Sequence, residues 1–221
     1  MGQDGAPGPG THVSGASVRR LEVDPGRLPR WVEGFTARHG DLRWSSRDGE
    51  LLLSAPDGAE ALVVPLAADG AAPGGAAGLA AWAEPTGGTG LVLVRRGGYA
   101  VGVGGGEHLT ASKVGTRHVQ SRTAAGGWSQ QRYARRRGNQ ADELVAAVAG
   151  HALRVVVPSR PEHLVMGGDR MLVGKVLADP RLAGLARLPV RELYDLPDPR
   201  LSVLQQALRR GRAVRIRLVE P

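Results

Sequence analysis

Ala124-Ala125-Gly126-Gly127-Trp128-Ser129-Gln130-Gln131-Arg132-Tyr133-Ala134-Arg135-Arg136-Arg137 is the stretch around which the rest of the chain organises. Ala124 to Trp128 reads as a loop of small residues, and Ser129 offers a hydroxyl that can cap a helix start. The helix then runs from Gln130 to about Gly150, with Ala141, Leu144, Val145 and Val148 as its buried stripe. Arg132, Arg135 and Arg136 fall three and four residues apart and so share one face. Gly138-Asn139 is the point at which this helix could kink.

Upstream, Leu91 to Arg95 and Tyr99 to Val103 are strand-like runs joined by a turn at Gly97-Gly98, and His108 to Val114 and Arg117 to Thr123 continue the same sheet. Downstream, Leu153 to Val157 reads as a strand, followed by a strand and turn at His163 to Gly168. A helix from Asp169 to Ala178, a short strand near Ala186 to Val190, a helix from Pro199 to Arg210 and a last strand at Ala213 to Leu218 complete this region. Near the beginning, Asp24-Pro25 is an N-cap with proline at the first helical position, and Leu28, Trp31, Val32 and Phe35 recur at helical spacing up to Gly40. Leu42 to Ser46, Glu50 to Ser54 and Ala61 to Leu66, with Asp48-Gly49 and Asp57-Gly58 between them, form an antiparallel meander. The expected class is therefore α+β, a mixed sheet with packed helices preceded by a small helix and meander. The expected division is a disordered leader at 1–17, a helix and meander at 18–67, an Ala/Gly/Pro-rich linker at 68–89 anchored by Trp82, and a region of mixed sheet and packed helices at 90–221.

The charge distribution points at a partner. The formal net charge is +8, from 29 Lys plus Arg against 21 Asp plus Glu, yet no carboxylate lies between Glu107 and Asp142. Lys113, Arg117, Arg122, Arg132, Arg135, Arg136 and Arg137 all fall in that window, leaving the rest of the chain nearly neutral. A general arginine bias would not clear acids from a single segment, so the window reads as a surface for a polyanion. The 221 residues are enough for a core without staples, built from aliphatic side chains because only eight residues are aromatic. With no Cys, disulfides, thiolate metal sites and Cys nucleophiles are excluded. No apolar run is long enough to span a bilayer and the leader lacks the features of a signal peptide, so a cytoplasmic protein with no membrane partner is expected.

Familiar chemical motifs fail on their details. Gly102-Val103-Gly104-Gly105-Gly106-Glu107 has glutamate where a dinucleotide fingerprint needs its third glycine, and it reads as a hairpin turn. Gly174-Lys175 lacks both the leading glycine and the following Ser or Thr of a phosphate loop. The six histidines never fall at the spacing of a helical zinc pair, so neither a metal nor a cofactor is expected.

The stretch at 124–137 resembles the catalytic domain of the archaeal and eukaryotic class I peptide release factors, where a Gly-Gly-Gln loop precedes a helix reading Ser-x-x-Arg-Phe-Ala-Arg-x-Arg. Gly126, Gly127, Ser129, Arg132, Tyr133, Ala134, Arg135 and Arg137 match in register. The likeness extends to Gly98-Tyr99-Ala100-Val101-Gly102, His163-Leu164-Val165-Met166-Gly167-Gly168 and Asp179-Pro180-Arg181-Leu182, covering roughly Gly90 to Leu208. It is closest to the actinobacterial release-factor-like peptidyl-tRNA hydrolases of the Vms1-like family, which carry Gly-x-x-Gln. In strict register Trp128 stands where the ordinary release factor has its glutamine. Gly127-Trp128-Ser129-Gln130 restores the Gly-x-x-Gln form.

The resemblance implies a hydrolase that frees nascent peptide from tRNA, with Gln130 catalytic, Gln131 as the alternative, and Gly126 and Gly127 giving the loop its freedom. It implies the ribosomal large subunit, its rRNA and peptidyl-tRNA as partners of a monomeric protein, in ribosome rescue or quality control. Lys113, Arg117, Arg122, Arg132, Arg135, Arg136 and Arg137 would bind RNA phosphates, with Trp128 either stacking on a base or packing under the loop. Two other readings stay open: a non-catalytic ribosome-binding module, and a nuclease that cuts the tRNA 3′ end. No stop-codon-reading region is apparent, so codon-directed termination is not expected.

Overall fold

The computed structural model describes residues 17–68, 70–116 and 128–221, with side chains from residue 138 onward in the last stretch. In chain order its elements are β1 (Ser17–Val23), α1 (Leu28–His39), β2 (Arg43–Arg47), β3 (Glu50–Ser54), β4 (Glu60–Val64), α2 (Leu79–Ala83), β5 (Thr89–Arg95), β6 (Gly98–Gly105) and β7 (His108–Thr116). After them come α3 (Trp128–Val155), β8 (His163–Gly168), α4 (Arg170–Leu177), β9 (Val190–Leu193), α5 (Leu201–Arg212) and β10 (Val214–Glu220). The fold is mixed α+β with two sheets, as expected from the sequence.

The strands form two five-stranded sheets. The first, ordered β1-β10-β4-β3-β2, is antiparallel throughout. The second, ordered β7-β6-β5-β8-β9, is antiparallel across β7, β6 and β5 and parallel across β5, β8 and β9. The chain leaves the first sheet after β4, builds the second, and returns through α5 into β10, which lies between β1 and β4. The strand that closes the sequence is thus a central strand of the sheet that opens it.

Every residue of β5 except Arg95 is buried, as a strand covered on both faces requires. Val92 and Val94 join Tyr99, Val101 and Val103 beneath α3 and α4, meeting Leu144, Val148, Ala152 and Val173. Leu91 and Leu93, pointing the other way by strand alternation, meet Val203, Leu204, Ala207 and Leu208 of α5. The second sheet is therefore a middle layer between α3 with α4 and α5. The first sheet has one buried face, on which Leu28, Val32 and Phe35 of α1 and Leu79 and Trp82 of α2 pack against Leu51, Leu53, Val63, Ile216 and Leu218.

Local chemistry accounts for the boundaries. Asp24 accepts from the Gly26 N–H at 2.9 Å and Pro25 follows it, opening a short 3-10 turn that runs into α1. Gly40 takes φ 88° and closes α1 by donating to the Thr36 carbonyl at 2.8 Å. Asp169 caps α4 by accepting from the Met171 and Leu172 N–H groups. Gly168 just before it has φ 97°, and a Cβ there would run into the Val94 carbonyl, so only glycine fits the step from β8 to α4.

Several local expectations need correction. Leu153 to Val157 is not a strand: α3 continues to Val155 and a 3-10 turn follows at Val157–Ser159. Leu144, Val148, Ala152 and Val156 recur every four residues and are all buried, so the helical stripe against the sheet overrides the strand preference of three consecutive valines. The stretch around Ala186 is a 3-10 turn at Leu185–Arg187, and the strand begins only at Val190. β1 was not anticipated. The Ala/Gly/Pro-rich stretch contains α2, whose Leu79, Trp82 and Ala83 are buried. The strand expected at Arg117 to Thr123 lies outside the described residues.

Two arginines at the end of α5 tie the layers together. Arg212, buried, holds Glu84 with both carboxylate oxygens at 2.6 and 2.7 Å, joining α5 to the end of α2. Arg210 grips Glu22 of β1 at 2.7 and 3.0 Å and Asp195 at 2.9 Å, joining β1 to the region after β9.

Candidate active site

The site is built where β7 ends and α3 begins. β7 is the edge strand of the second sheet and stops at Thr116; α3 starts at Trp128. Gly126, Gly127, Arg117 and Arg122 fall between them, outside the described residues. Gln130 and Gln131 lie in the first turn of α3, as its third and fourth residues. Ser129 is the second residue of the helix and not its cap, a displacement of about one residue from the expected start. The helix also continues through Gly138 and Asn139, where a kink was considered.

The C-terminal half of α3 is fixed to the sheet through Leu144, Val148, Ala149 and Ala152, and among its described side chains Ala141 is the first to pack partly against that core. Lys175 of α4 pairs with Asp142 at 3.0 Å. Further along, the His151 and Tyr99 rings stack at 5.0 Å, with His151 Nε2 2.8 Å from Tyr99 Oη. Arg154 donates to His151 Nδ1 at 3.0 Å, which makes Nε2 the N–H that faces the tyrosine oxygen. Gly138 and Asn139, by contrast, are exposed. At 1.5 Å per residue, Gln130 stands about 21 Å along the axis from Leu144.

Arg132, Arg135, Arg136 and Arg137 all follow within the next two turns of one continuous helix. The first turn carries no acidic residue, although carboxylates are what the positive end of a helix dipole favours. Placing cations near that end costs local stability, and the arrangement makes sense as an anion-attracting one. Lys113 is exposed on β7 opposite Val101, hence on the face of the sheet that α3 covers.

Sequence reasoning gave no role to a cleft of about 340 Å³ beside this helix, lined by Arg96, Gly138, Ala141, Asp169, Met171 and Lys175. It sits at the carboxyl ends of the parallel strands β5 and β8, a favoured position for ligands in α/β sheets. Met171 is 74% exposed there. The only sequence signal was the Arg95-Arg96 pair at a hairpin turn, since the pairing of β5 with β8 joins residues some seventy apart. Among the described residues no group of His, Asp and Glu could hold a metal ion, and no helix is long and apolar enough to cross a membrane.

Residues 87–217 match the family described as the Actinobacteria/chloroflexi VLRF1 release factor. The match takes in more than half of the chain, and the chain belongs to that family. Among solved structures it is similar to one described as the Vms1 mitochondrial localization core, at 10% identity over 86% of this chain and 80% of that one, with a TM-score of 0.42. It is also similar to an archaeal translation termination factor, aRF1, at 15% identity over 89% of this chain and 65% of that one, with a TM-score of 0.40. No curated protein matches it.

Proposed function

We propose that this chain is a peptidyl-tRNA hydrolase that releases nascent peptide on the ribosomal large subunit, in ribosome rescue or quality control, through a Gly-x-x-Gln loop. One observation carries the reading: the release-factor pattern from Gly126 to Arg137 stands at the start of α3 in a chain of the VLRF1 release factor family. Family membership supports ribosome interaction in general; the reaction and the residues are the proposal.

The bond to be broken is an ester on the 3′ ribose of a polyanion. Its hydrolysis needs a water held near the carbonyl and hydrogen-bond donors where negative charge develops on the carbonyl oxygen. The Gln130 amide, or the backbone N–H beside it, supplies such a donor and orients the water; Gln131 is the alternative. Gly126 and Gly127 let the preceding loop pass through a narrow RNA-walled cavity. Arg132, Arg135, Arg136 and Arg137 hold phosphates, with Lys113, Arg117 and Arg122 extending the contact and Trp128 stacking or packing beside it. In this reading the protein works as a cytoplasmic monomer on peptidyl-tRNA and rRNA.

Release of labelled peptide from peptidyl-tRNA on isolated large subunits and on whole ribosomes tests this. Gln130→Ala is expected to slow release by about 10²- to 10³-fold while leaving subunit binding intact. Wild-type release by both Gln130→Ala and Gln131→Ala would remove the catalytic assignment. Trp128 in the glutamine position favours a second reading, a binding module without chemistry, for which the wild type would bind subunits and release nothing. An RNA product with a shortened 3′ terminus would instead identify a nuclease.

A further inference from the structure

Among the described residues, the helices α1 and α2 pack on one face of the first sheet and leave its other face uncovered by them. Strand alternation buries Leu51, Val63, Ile216 and Leu218 under α1 and α2 and sends the intervening residues outward. On that outer face Arg20 stands directly across from Arg217, and Glu22 across from Arg215. Arg215 in turn stands beside Val64 on β4. Arg20 and Arg217 are exposed, and neither has a hydrogen-bond or ion-pair partner among the described residues.

Like charges directly opposite on neighbouring strands repel, so this pairing weakens the sheet it belongs to. Arg215, two residues from Arg217 and about 7 Å along the strand, adds a third charge to the same face. It donates to the Glu192 backbone carbonyl at 2.8 Å, which orients the guanidinium without neutralising it. The nearby carboxylate is already committed, since Glu22 binds Arg210 through both oxygens at 2.7 and 3.0 Å. A groove of about 650 Å³ runs between these side chains. Beneath it Arg191 is buried, and its guanidinium is pushed down to about 10, first by loss of water and then by the charge of Arg215, with Glu22 pulling the other way.

We propose that this outer face, centred on Arg20, Arg215 and Arg217, is a second RNA-docking surface that grips phosphate backbone without reading sequence, on a different sheet from α3. Two unpaired guanidinium groups, Arg20 and Arg217, with Arg215 beside them on the same groove, match a phosphate chain in charge and in hydrogen-bonding capacity. Protein partners are usually anchored by buried aromatics, and none of the outward positions of β1, β10, β4, β3 or β2 is aromatic. The choice of RNA over another polyanion rests on the proposed ribosomal activity. Docking at two separated surfaces would fix the orientation of α3 toward the ester, where a single contact would leave it free to swing.

The test is fluorescence anisotropy with a labelled RNA duplex of about twenty base pairs, using the full chain across a range of KCl concentrations. Arg20→Gln/Arg217→Gln is expected to bind about tenfold more weakly near 0.1 M salt, with the slope of log K against log salt smaller by about two. Arg20→Lys/Arg217→Lys, which keeps the charges, is expected to retain the slope. Because the substitution removes a repulsion, the glutamine variant should melt at or above the wild-type temperature; the single Arg20→Gln variant serves as a half-strength version with a slope change of about one. Unchanged affinity and slope in the double variant would overturn the proposal. So would unchanged RNA binding accompanied by lost binding to poly-glutamate, which would assign the face to an acidic protein. The assay contains no ester, so an inactive Gln130 leaves its outcome untouched, and failure here leaves the hydrolase reading standing.

Discussion

Inserting one alanine between Asn139 and Gln140 separates the reach of α3 from its stability. Asn139 is exposed and Ala141 is the first described side chain of α3 to pack against the core, so the insertion falls just before the anchored part of the helix. Each added residue turns everything N-terminal to it by about 100° and moves it by about 1.5 Å. A group some 5–6 Å from the helix axis is then swept through about 8 Å. Misplacement of roughly 1 Å can already cost about a hundredfold in a positioned reaction. The insertion variant should therefore release peptide no faster than Gln130→Ala, about 10²- to 10³-fold below wild type. Its melting temperature should stay within a few degrees, because Leu144, Val148, Ala152 and Val156 keep their phase against the sheet. Single-turnover release of labelled peptide from large subunits is the assay, with Asn139→Ala as the control that changes the residue without the register. An insertion variant that melts normally and releases peptide within about threefold of wild type would show that α3 does not act as a rigid arm.

Two further outcomes concern stability. Glu84→Gln removes the hydrogen-bonded carboxylate from Arg212, whose side chain is only 7% exposed against 38% for Glu84, and leaves it the longer contacts to Asp24 at 3.9 Å and Glu107 at 3.8 Å; unfolding free energy in urea should fall by about 1–3 kcal/mol, less than for a fully buried pair. Arg212→Met, which removes the buried charge itself, should cost less than Glu84→Gln; the reverse order would mean that the guanidinium packs well without its carboxylate. For Asp179, the hydrogen bonds from the Arg181 side chain and N–H hold the carboxyl down at about 2. A depressed carboxylate stabilises the fold above its ordinary value near 3.8, and that stability is lost as pH falls toward 2. Asp179→Asn should flatten the corresponding part of the acid limb in thermal melts between pH 2 and 5, and an unchanged limb would count against the pairing.

The fold class and most elements were legible because their signals are local. The period of Leu28, Val32 and Phe35, the Asp24-Pro25 start and the glycine turns between β2, β3 and β4 each lie within a dozen residues. Long-range partnership was not legible. Alternation in β10 announces a strand but does not say that Val214, Ile216 and Leu218 will fill a core made by residues 28–83. The end of α3 was misread for the opposite reason: three valines satisfy a strand preference locally, and only the sheet beneath Ala152 and Val156 makes the helix the better solution. At the candidate site the residue pattern was fully visible, whereas the cleft at Arg96 and Lys175 depends on the pairing of β5 with β8, which no local pattern encodes.

The packing of the C-terminal half of α3 bears on how this chain can carry an acid-free, arginine-rich helix start. Four arginines near the positive end of a helix, with no acid in the first turn, would be a liability if that turn also carried the core. Among the described side chains, the packing that holds the helix runs from Ala141 through Leu144, Val148 and Ala152, with Leu144 about 20 Å from the turn that holds the glutamines. Helix stability in proteins comes mainly from such tertiary packing, and the C-terminal half of α3 supplies it here. The same logic applies to the first sheet, where α1 and α2 cover one face with apolar side chains and the other face is left to arginines that repel one another. In both places the cost of concentrated positive charge falls on a surface whose opposite side is well packed. Charge there can be set by what binds from outside, without destabilising the core beneath.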